Sequence, residues 1–415
     1  MRQRGAAIRG FDGLRALAAL TVLSYHVALS RSFAPAGRFA PLLWELKGGV
    51  AIFFVISGAL LWLPYARALR DRRAVPGWRA YAARRAVRIL PAYWLALTVL
   101  ALAGRLPSAH LADAWRYYTL SQIYEPRTLF GGVGVAWSLC VEVSFYALLP
   151  LLGWLLALLA RRAGGRSIVR LELAAIAAAG VASLVLRGAV AGSLSAGVPH
   201  GAKPLMVTLP GLLDWFAIGM ALAVLRSELE AGRGTRCAPA ALGRRTGWCV
   251  LLAAAAFIAA LPTQQGDQFL PWYGLETHVA MGAGAGLLVL AVIVPPSGER
   301  AGWTLRVLSH PVVAWLGTVS YGIYLWHGAV LALVQAHIPS GPAGTGLEWL
   351  AVAAGATGLA AVSWHFVERP LQRRLVIRGR RTGRDGPGRV IELDIGVQST
   401  FDPLNPNGVA VDHLA

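Results

Sequence analysis

Apolar runs of about twenty residues recur along the whole chain, and they constrain its fold more than any other feature. A helix needs about 20 predominantly apolar residues to cross the ~30 Å hydrocarbon core of a bilayer. The chain is 56% hydrophobic and 14% charged, whereas a soluble domain carries about 25% charged residues. The sequence therefore predicts an all-α, polytopic membrane helix bundle of about ten transmembrane helices. We place these helices at roughly 11–29, 49–65, 86–103, 136–159, 171–187, 204–225, 247–262, 278–296, 309–334 and 348–367.

The basic residues are concentrated in alternate loops. Residues 66–88 contain eight arginines, whereas residues 263–277 and 335–346 contain no lysine or arginine. Cytoplasmic loops carry this excess, so both termini are predicted to be cytoplasmic. The same rule explains the net charge of +19 without nucleic acid as a partner, and the lipid bilayer is the expected partner. With only two lysines, Lys47 and Lys203, the composition suggests a GC-rich bacterium, so we expect a multi-pass protein of the bacterial cytoplasmic membrane.

Residues 1–374 are predicted to form one transmembrane domain, and residues 375–415 a flexible cytoplasmic tail. The tail begins rich in arginine and glycine and continues with the polar stretch DPLNPNG, a composition that does not favour a packed core. The three cysteines, Cys140, Cys237 and Cys249, lack the spacing of a disulfide or metal motif. We therefore expect no metal and no permanently bound cofactor.

Three ionisable residues interrupt the first apolar run, GFDGLRALAALTVLSYHV: Asp12, Arg15 and His26. Arg15 and His26 lie roughly 16 Å apart along a helix axis. An ionisable side chain near mid-bilayer costs about 2.5–3.5 kcal/mol. Arg15 can reach the interface through its long side chain but His26 cannot, so a histidine at that depth points to a function. The alternative is a structural histidine that bonds to a neighbouring helix.

Counting residues from the predicted membrane surfaces places two further side chains at the level of His26. His26 lies about 22 Å above the cytoplasmic face, Glu142 about 21 Å and His327 about 24 Å, if the fourth helix begins at the outer face near Ala136. A histidine beside a carboxylate can act as a general base, so we expect Glu142 to orient or charge-balance His26. Structural hydrogen bonds between helices are the alternative for Glu142 and His327.

A cluster of arginines marks the cytoplasmic start of the third helix, in RRAVRILPAYW. Arg85 and Arg88 share one helical face at i, i+3 spacing, and Arg84 is adjacent. Guanidinium groups suit the phosphates of an anionic ligand, and Arg15 is expected near the same interface. The alternative interpretation is that these arginines determine topology or contact anionic lipids.

Two other stretches concern the packing of helices. The stretch FFVISGALL, with Ser57 and Gly58, is typical of a close contact between helices through small residues. Asp214, in LLDWFAIGM, is predicted near mid-bilayer and therefore needs a partner. The sequence alone does not name that partner.

Six motifs occur in order between residues 10 and 370. They are GFDGLRALAALTVLSYH, GGVAIFFVISGALL, RRAVRILPAYW, AWSLCVEVSFYALLP, VSYGIYLWH and FVERP. Each motif is weak alone, but in this order they resemble those of the acyltransferase-3 family of integral-membrane O-acyltransferases. The chain resembles the stand-alone type, without the hydrolase-like C-terminal domain that some members carry.

The resemblance implies transfer of an acyl group, expected to be short, from cytoplasmic acyl-CoA to a hydroxyl of a carbohydrate, glycolipid or macrolide-like acceptor. In this family the residue matching His26 is regarded as the essential histidine, with Arg15 as its motif partner. Arg85 and Arg88 match an arginine pair associated with the donor side. Glu142 matches the first of two paired acids.

Two positions depart from the family pattern. Val143 stands where the family often has a second glutamate, so only Glu142 can serve as the acid there. Ala51 stands where an aspartate is common. The arginines and the histidine of the pattern are intact.

The resulting hypothesis assigns three sets of residues. His26, Glu142 and Arg15 are catalytic candidates; Arg84, Arg85 and Arg88 are donor-binding candidates; Asp12, Ser57, Tyr324 and His327 are candidates for the substrate site. His26 accepts the proton of the acceptor hydroxyl as that hydroxyl attacks the thioester. Direct transfer is preferred over an acyl-enzyme, because no serine or cysteine is identifiable beside a base.

The rival function is a transporter or flippase for an anionic or glycosylated substrate, because the same ionisable groups could line a translocation path. The lack of an internal repeat argues against that function. The sequence leaves open the acyl chain, the acceptor, the side of the membrane on which the acceptor binds and the oligomeric state.

Overall fold

The computed structural model describes residues 10–31, 40–106, 111–161, 165–195, 205–233, 237–259, 274–294, 302–339 and 341–382. Within these ranges the regular elements are all helices, and no strand occurs. The all-α class predicted from the sequence is confirmed.

Ten principal helices make up the described bundle. They are α1 (Phe11–Ser30), α2 (Gly49–Arg70), α3 (Trp78–Leu102), α4 (Trp137–Ala160), α5 (Gly165–Ser195), α6 (Leu213–Glu230), α7 (Thr246–Ala259), α8 (Leu275–Ile293), α9 (Pro311–Val334) and α10 (Pro342–Ser363). Short helices lie in the connections at Ala40–Trp44, Glu45–Gly48, Leu111–Asp113, Ala114–Tyr118, Gln122–Tyr124, Gly134–Ala136, Leu209–Gly211, Ala238–Gly243 and Trp303–Leu308. A π-helical turn, Trp364–Glu368, leads into α11 (Arg369–Thr382). Residues 375–382 of the predicted tail therefore lie in α11, and the rest of the tail lies outside the described residues.

Eight helices of the described ranges are long and apolar enough to cross a membrane, namely α1–α5 and α8–α10. The other two helices, α6 and α7, overlap the remaining predicted spans, 204–225 and 247–262. Helix α7 is apolar but has 14 residues, and α6 has 18 residues with charged residues near both ends. The chain is therefore a polytopic membrane protein, and each of the ten predicted segments overlaps one of these helices.

Helix α2 forms the centre of the bundle and packs closely on α6. In its most apolar stretch 78% of α2 is buried, compared with 22% for α4, α5 and α10. Gly58 faces the carbonyl of Phe216, and Gly219 faces the carbonyl of Val55, so that a Cβ at either glycine would overlap the opposite backbone. The small-residue contact predicted around Gly58 is confirmed, and it allows the two backbones to touch.

Contacts between helix ends follow the predicted alternation of direction. At one side, Arg67 near the end of α2 pairs with Glu230 at the end of α6, at 2.8 Å. At the other side, Arg31 after α1 pairs with Glu348 near the start of α10, at 2.7 Å. The ends of these helices thus meet in two separate layers, as successive crossings of a bilayer require.

The segment between α3 and α4 folds inward along α3. Tyr93 Oη donates to the carbonyl of Tyr117 at 2.7 Å, and Trp94 Nε1 donates to the carbonyl of Tyr118 at 2.9 Å. Tyr93 lies roughly 13 Å before the end of α3 at Leu102. Irregular backbone is tolerated at such depth where protein surrounds it, and Ile123 in this segment is fully buried. Helix α4 therefore begins deeper in the bundle than the point at which α3 ends.

Candidate active site

A polar cavity of about 90 Å³ lies between α1, α2, α3, α4 and α9, and we call it the central cavity. Its polar lining consists of Arg15, Ser57, Arg85, Arg88, Ser138, Glu142, Tyr146, Ser320, Tyr321 and Tyr324. Six of the ten residues proposed from the sequence thus meet in one place. They are Arg15, Arg85, Arg88, Glu142, Ser57 and Tyr324.

Arg15 is held in the wall of the cavity by Asp12. The Arg15 guanidinium donates to Asp12 Oδ1 at 2.7 Å, one turn earlier on α1. The backbone of α9 approaches at the same point, because Gly317 packs on the carbonyl of Asp12 and leaves no room for a Cβ. Asp12 therefore acts on the cavity through Arg15, and it does not itself line the cavity.

Arg85 and Arg88 bring positive charge into the cavity without a paired acid. No carboxylate of the described residues lies within ion-pair distance of either guanidinium. Arg85 lies 5.9 Å from the ring of Tyr81 and 6.0 Å from that of Tyr146, and its Nε is buried without a hydrogen-bond partner. Arg84 is not part of the lining. This arrangement suits an anionic ligand at Arg85 and Arg88.

Arg85 also borders an apolar groove of about 720 Å³ between α3 and α4. Arg85, Ile89 and Tyr146 line both this groove and the central cavity. These three side chains therefore form the wall that separates the cavity from the surface of the bundle at this point.

Glu142 is joined to Ser57 across the cavity wall. Ser57 Oγ on α2 donates to Glu142 Oε1 on α4 at 2.5 Å. The residues that line the cavity include three guanidinium groups and a single carboxylate, that of Glu142. The cavity is therefore positively charged, and Glu142 offsets part of that charge.

The expected pairing of His26 with Glu142 is not formed. Glu142 lies one turn, roughly 6 Å, further along α4 than Ser138, whose hydroxyl is 2.8 Å from Tyr324 Oη. Tyr324 precedes His327 on α9 by almost one helical turn, so it lies closer to the start of that helix. Glu142 thus lies at the level of the arginines, because α4 starts deeper than the outer face from which its position was counted.

The two histidines do meet, as their equal predicted depth suggested. His327 Nε2 on α9 lies 3.3 Å from His26 Nδ1 on α1. His26 Nδ1 also lies 2.9 Å from the carbonyl oxygen of Val22. A carbonyl can only accept a hydrogen bond, so this contact places a proton on Nδ1 and leaves the lone pair of neutral His26 on Nε2. His26 Nε2 is therefore the nitrogen able to take up a proton.

Tyr324 connects the central cavity with the histidine pair. Its side chain lines the cavity, its Oη donates to the carbonyl of Val135 at 3.0 Å, and its ring centroid lies 5.9 Å from that of His327. Neither His26 nor His327 lines the cavity. Helix α1 is continuous from Phe11 to Ser30, so Arg15 and His26 are separated by roughly 16 Å along its axis.

Several lining residues were not predicted from the sequence. Tyr146 follows Glu142 by one helical turn in the same motif, so its shared face was a usable signal. Tyr321 lines the cavity and donates through Oη to the carbonyl of Ile89 at 2.9 Å. That contact depends on the packing of α9 against α3, which no local pattern indicates.

Asp214 has the partner that its depth required. Its Oδ2 lies 2.8 Å from His278 Nε2 on α8, and Ser183 Oγ on α5 donates to its Oδ1 at 3.0 Å. The ring of His278 stacks on Trp215, with centroids 4.3 Å apart. The cluster joins three helices and is separate from the central cavity.

The sequence pattern of the acyltransferase domain matches residues 8–365, nearly the whole described bundle. The chain belongs to the acyltransferase-3 family. It is therefore an acyltransferase embedded in a membrane through several helices. No solved structure matches the chain.

Relatives of this acyltransferase include proteins named for exopolysaccharide production and for peptidoglycan O-acetylation. The chain is 30% identical over 352 residues to the exopolysaccharide production protein ExoZ of Rhizobium meliloti (strain 1021). The aligned region covers 83% of this chain and 94% of ExoZ. It is 26% identical over 385 residues to the putative peptidoglycan O-acetyltransferase YrhL of Bacillus subtilis (strain 168). It is 24% identical over 383 residues to the peptidoglycan O-acetyltransferase OatA of Listeria monocytogenes. The last two matches cover 88% of this chain but 55% and 56% of those proteins, so the chain spans about half their length.

Proposed function

We propose that this protein transfers a short acyl group from acyl-CoA to a hydroxyl of a carbohydrate acceptor, in the cytoplasmic membrane of a bacterium. The observation that carries the donor assignment is the pair Arg85 and Arg88, which line the central cavity with no carboxylate of the described residues within ion-pair distance. Family membership supports acyl transfer as the reaction.

The phosphates of CoA are the proposed ligands of Arg85 and Arg88. Guanidinium groups bind phosphate oxygens through charge-assisted hydrogen bonds, and Arg15, fixed by Asp12, adds a third positive group. The start of α3 lies on the side that the arginine distribution predicts to be cytoplasmic, where acyl-CoA is available. The extended pantetheine arm then runs along α1 toward His26, a distance of roughly 16 Å.

His26 is the proposed general base. Its Nε2 takes the proton of the acceptor hydroxyl while the hydroxyl oxygen attacks the thioester carbon. A new C–O ester bond forms, the C–S bond breaks and CoA leaves as a thiolate. The thiolate takes up the proton that His26 releases, which returns the imidazole to its neutral form. The hydrogen bond from Nδ1 to Val22, which leaves the Nε2 lone pair available, supports this role.

Glu142 acts on the donor side in this proposal. Its carboxylate lies in the wall that carries the three guanidinium groups and is fixed by Ser57. A single negative charge there limits how tightly an anionic donor is held and so assists the release of CoA. Ser57 serves to orient Glu142.

The names of the relatives support a glycan acceptor and an acetyl donor. One relative is named for exopolysaccharide production and another for peptidoglycan O-acetylation. Carbohydrate hydroxyls are therefore the first acceptors to test, with acetyl-CoA as the donor.

Purified protein in detergent, supplied with acetyl-CoA and a peptidoglycan disaccharide or an acidic exopolysaccharide oligosaccharide, tests the proposal. Mass spectrometry of the acceptor should reveal an ester that requires both substrates. Removal of a general base typically lowers the rate by about 10²- to 10⁴-fold, and we expect this for His26→Ala. His337→Ala is the matched control, because His337 is exposed beyond the end of α9.

Two outcomes contradict the proposal. Full transfer by a correctly inserted His26→Ala variant would show that His26 is not the base. Flux of an unmodified anionic glycan into vesicles, with no ester formed on any acceptor, would support the transporter instead.

A further inference from the structure

We infer that His327 is a positioning residue that holds the His26 ring through Nδ1 and stabilises the imidazolium formed during the reaction. The inference rests on the proposed role of His26. It assigns His327 a function that differs from the substrate contact considered in the sequence analysis. His327 is completely buried and does not line the central cavity, so it acts on the reaction through His26.

The hydrogen bonds fix which nitrogen of His327 carries its proton. His327 Nδ1 lies 3.2 Å from the carbonyl oxygen of Ile323, one turn earlier on α9. Because the carbonyl can only accept, Nδ1 is the protonated nitrogen and Nε2 of neutral His327 carries the lone pair. That lone pair faces His26 Nδ1 at 3.3 Å. His26 Nδ1–H therefore has two acceptors, the carbonyl of Val22 and the ring of His327.

The two acceptors restrain His26 in different ways. Val22 belongs to the same helix as His26 and lies one turn before it. His327 reaches in from α9 and fixes the ring from the side. Tyr25 adds an edge contact, with ring centroids 5.1 Å apart. Together they hold His26 with Nε2 directed away from His327, which is the orientation that a general base needs.

The contact with His327 strengthens when His26 takes up a proton. The Nδ1–H of an imidazolium is a charged donor, and charged donors form hydrogen bonds about twice as strong as neutral ones. No carboxylate of the described residues lies within ion-pair distance of either ring. The lone pair of His327 therefore takes the place of the aspartate or glutamate that orients histidine in many enzymes.

Substitutions that keep or remove the acceptor test this inference. The oxygen of Gln reaches the position of the histidine Nε2, whereas the shorter Asn oxygen lies near the position of Nδ1. We therefore expect His327→Gln to retain most of kcat. His327→Leu and His327→Asn should lower kcat by about 10- to 100-fold with an unchanged KM for acetyl-CoA, as expected for loss of a hydrogen bond to a charged group. Leu331→Met, a volume-conserving change of a buried residue one turn after His327 on the same helix, should leave kcat within about twofold.

The comparison of Gln with Asn remains informative if His327→Leu does not fold, because both amides are polar and similar in size. Wild-type kcat in folded His327→Asn or His327→Leu would overturn the inference, as would equal losses in the Gln and Asn variants. Activity of these variants together with an inactive His26→Ala would reject only the role of His327. An active His26→Ala would instead reject the proposed function.

Discussion

Glu142 accepts its hydrogen bond from Ser57, at 2.5 Å, and not from His26. This contact places the carboxylate with the arginines of the central cavity, about two helical turns from the histidine pair. The site is thereby divided into a charged part at one level and an imidazole pair at another. We therefore expect substitutions in the charged part to change donor binding, and substitutions in the imidazole pair to change the rate of transfer.

Replacing Glu142 with glutamine should change binding of the donor more than the chemical step. Glutamine keeps an oxygen for Ser57 but removes the one negative charge of the lining. We expect the Kd of CoA to fall, by up to about tenfold for one charge interaction near a protein surface, while kcat stays within about tenfold. Isothermal titration calorimetry and steady-state kinetics on the same preparation measure both quantities. A loss of more than about 100-fold in kcat at unchanged affinity, the size expected of a lost acid–base group, would mean that Glu142 acts in the proton transfer.

Arg85→Gln and Arg88→Gln should each weaken binding of CoA. A hydrogen bond to a charged group contributes about 1.5–3 kcal/mol, so the Kd should rise by about 10- to 100-fold. Arg84→Gln is the matched control, because Arg84 is on the same turn but does not line the cavity. Its Kd should change by less than about twofold, and the salt dependence of binding should fall only in the first two variants. Equal effects at all three positions would indicate a general surface field and not a donor site.

The contact between α2 and α6 should tolerate no added side chain. A Cβ at Gly219 overlaps the backbone of α2 at Val55, and overpacking of this kind costs about 1–3 kcal/mol. Gly219→Ala should therefore lower the unfolding temperature measured in detergent. Gly328→Ala is the control on α9, where a Cβ would meet no atom within 4 Å; it should be neutral or stabilise by up to about 1 kcal/mol. A Gly219→Ala protein as stable as the wild type would contradict the described packing.

The ion pair between Arg31 and Glu348 should stabilise the junction of α1, α9 and α10. Arg31 Nε donates to Glu348 at 2.7 Å, and its Nη2 donates to the carbonyl of Ile338 at 3.0 Å. Glu348 is fully buried, so Arg31→Leu leaves a buried charge without its partner, at a cost of about 3–5 kcal/mol. Thermal unfolding should show this loss, whereas Arg73→Leu, at a side chain that is 78% exposed, should cost less than about 1 kcal/mol. Comparable small effects of both substitutions would mean that the buried pair does not stabilise the fold.

The sequence predicted the helices well because the length of an apolar run is a local property. It also predicted that His26 and His327 share a level, since α1 and α9 both begin at the same predicted face and rise equally per residue. The position of Glu142 could not be counted in this way. Its depth depends on the segment that folds inward along Tyr93 and Trp94, and those contacts form only in the assembled bundle.

The sequence also could not identify the partners of buried polar groups. Asp214 was expected to have a partner, but the choice of His278 depends on α8 packing beside α6. Likewise, Arg84 and Arg85 are adjacent in the chain and were grouped together. A helix turns by about 100° per residue, so only Arg85 reaches the cavity.

The separation of the donor site from the base is tested most directly by measuring donor binding and acyl transfer in the same two variants. CoA titration measures donor binding, and a single-turnover reaction with saturating acetyl-CoA measures transfer. We expect His26→Ala to bind CoA like the wild type and to lose transfer by at least about 100-fold. We expect Arg88→Gln to bind CoA about 10- to 100-fold more weakly and to transfer at nearly the wild-type rate once it is saturated. Loss of CoA binding in His26→Ala, or loss of transfer in saturated Arg88→Gln, would contradict the separation of the donor site from the base.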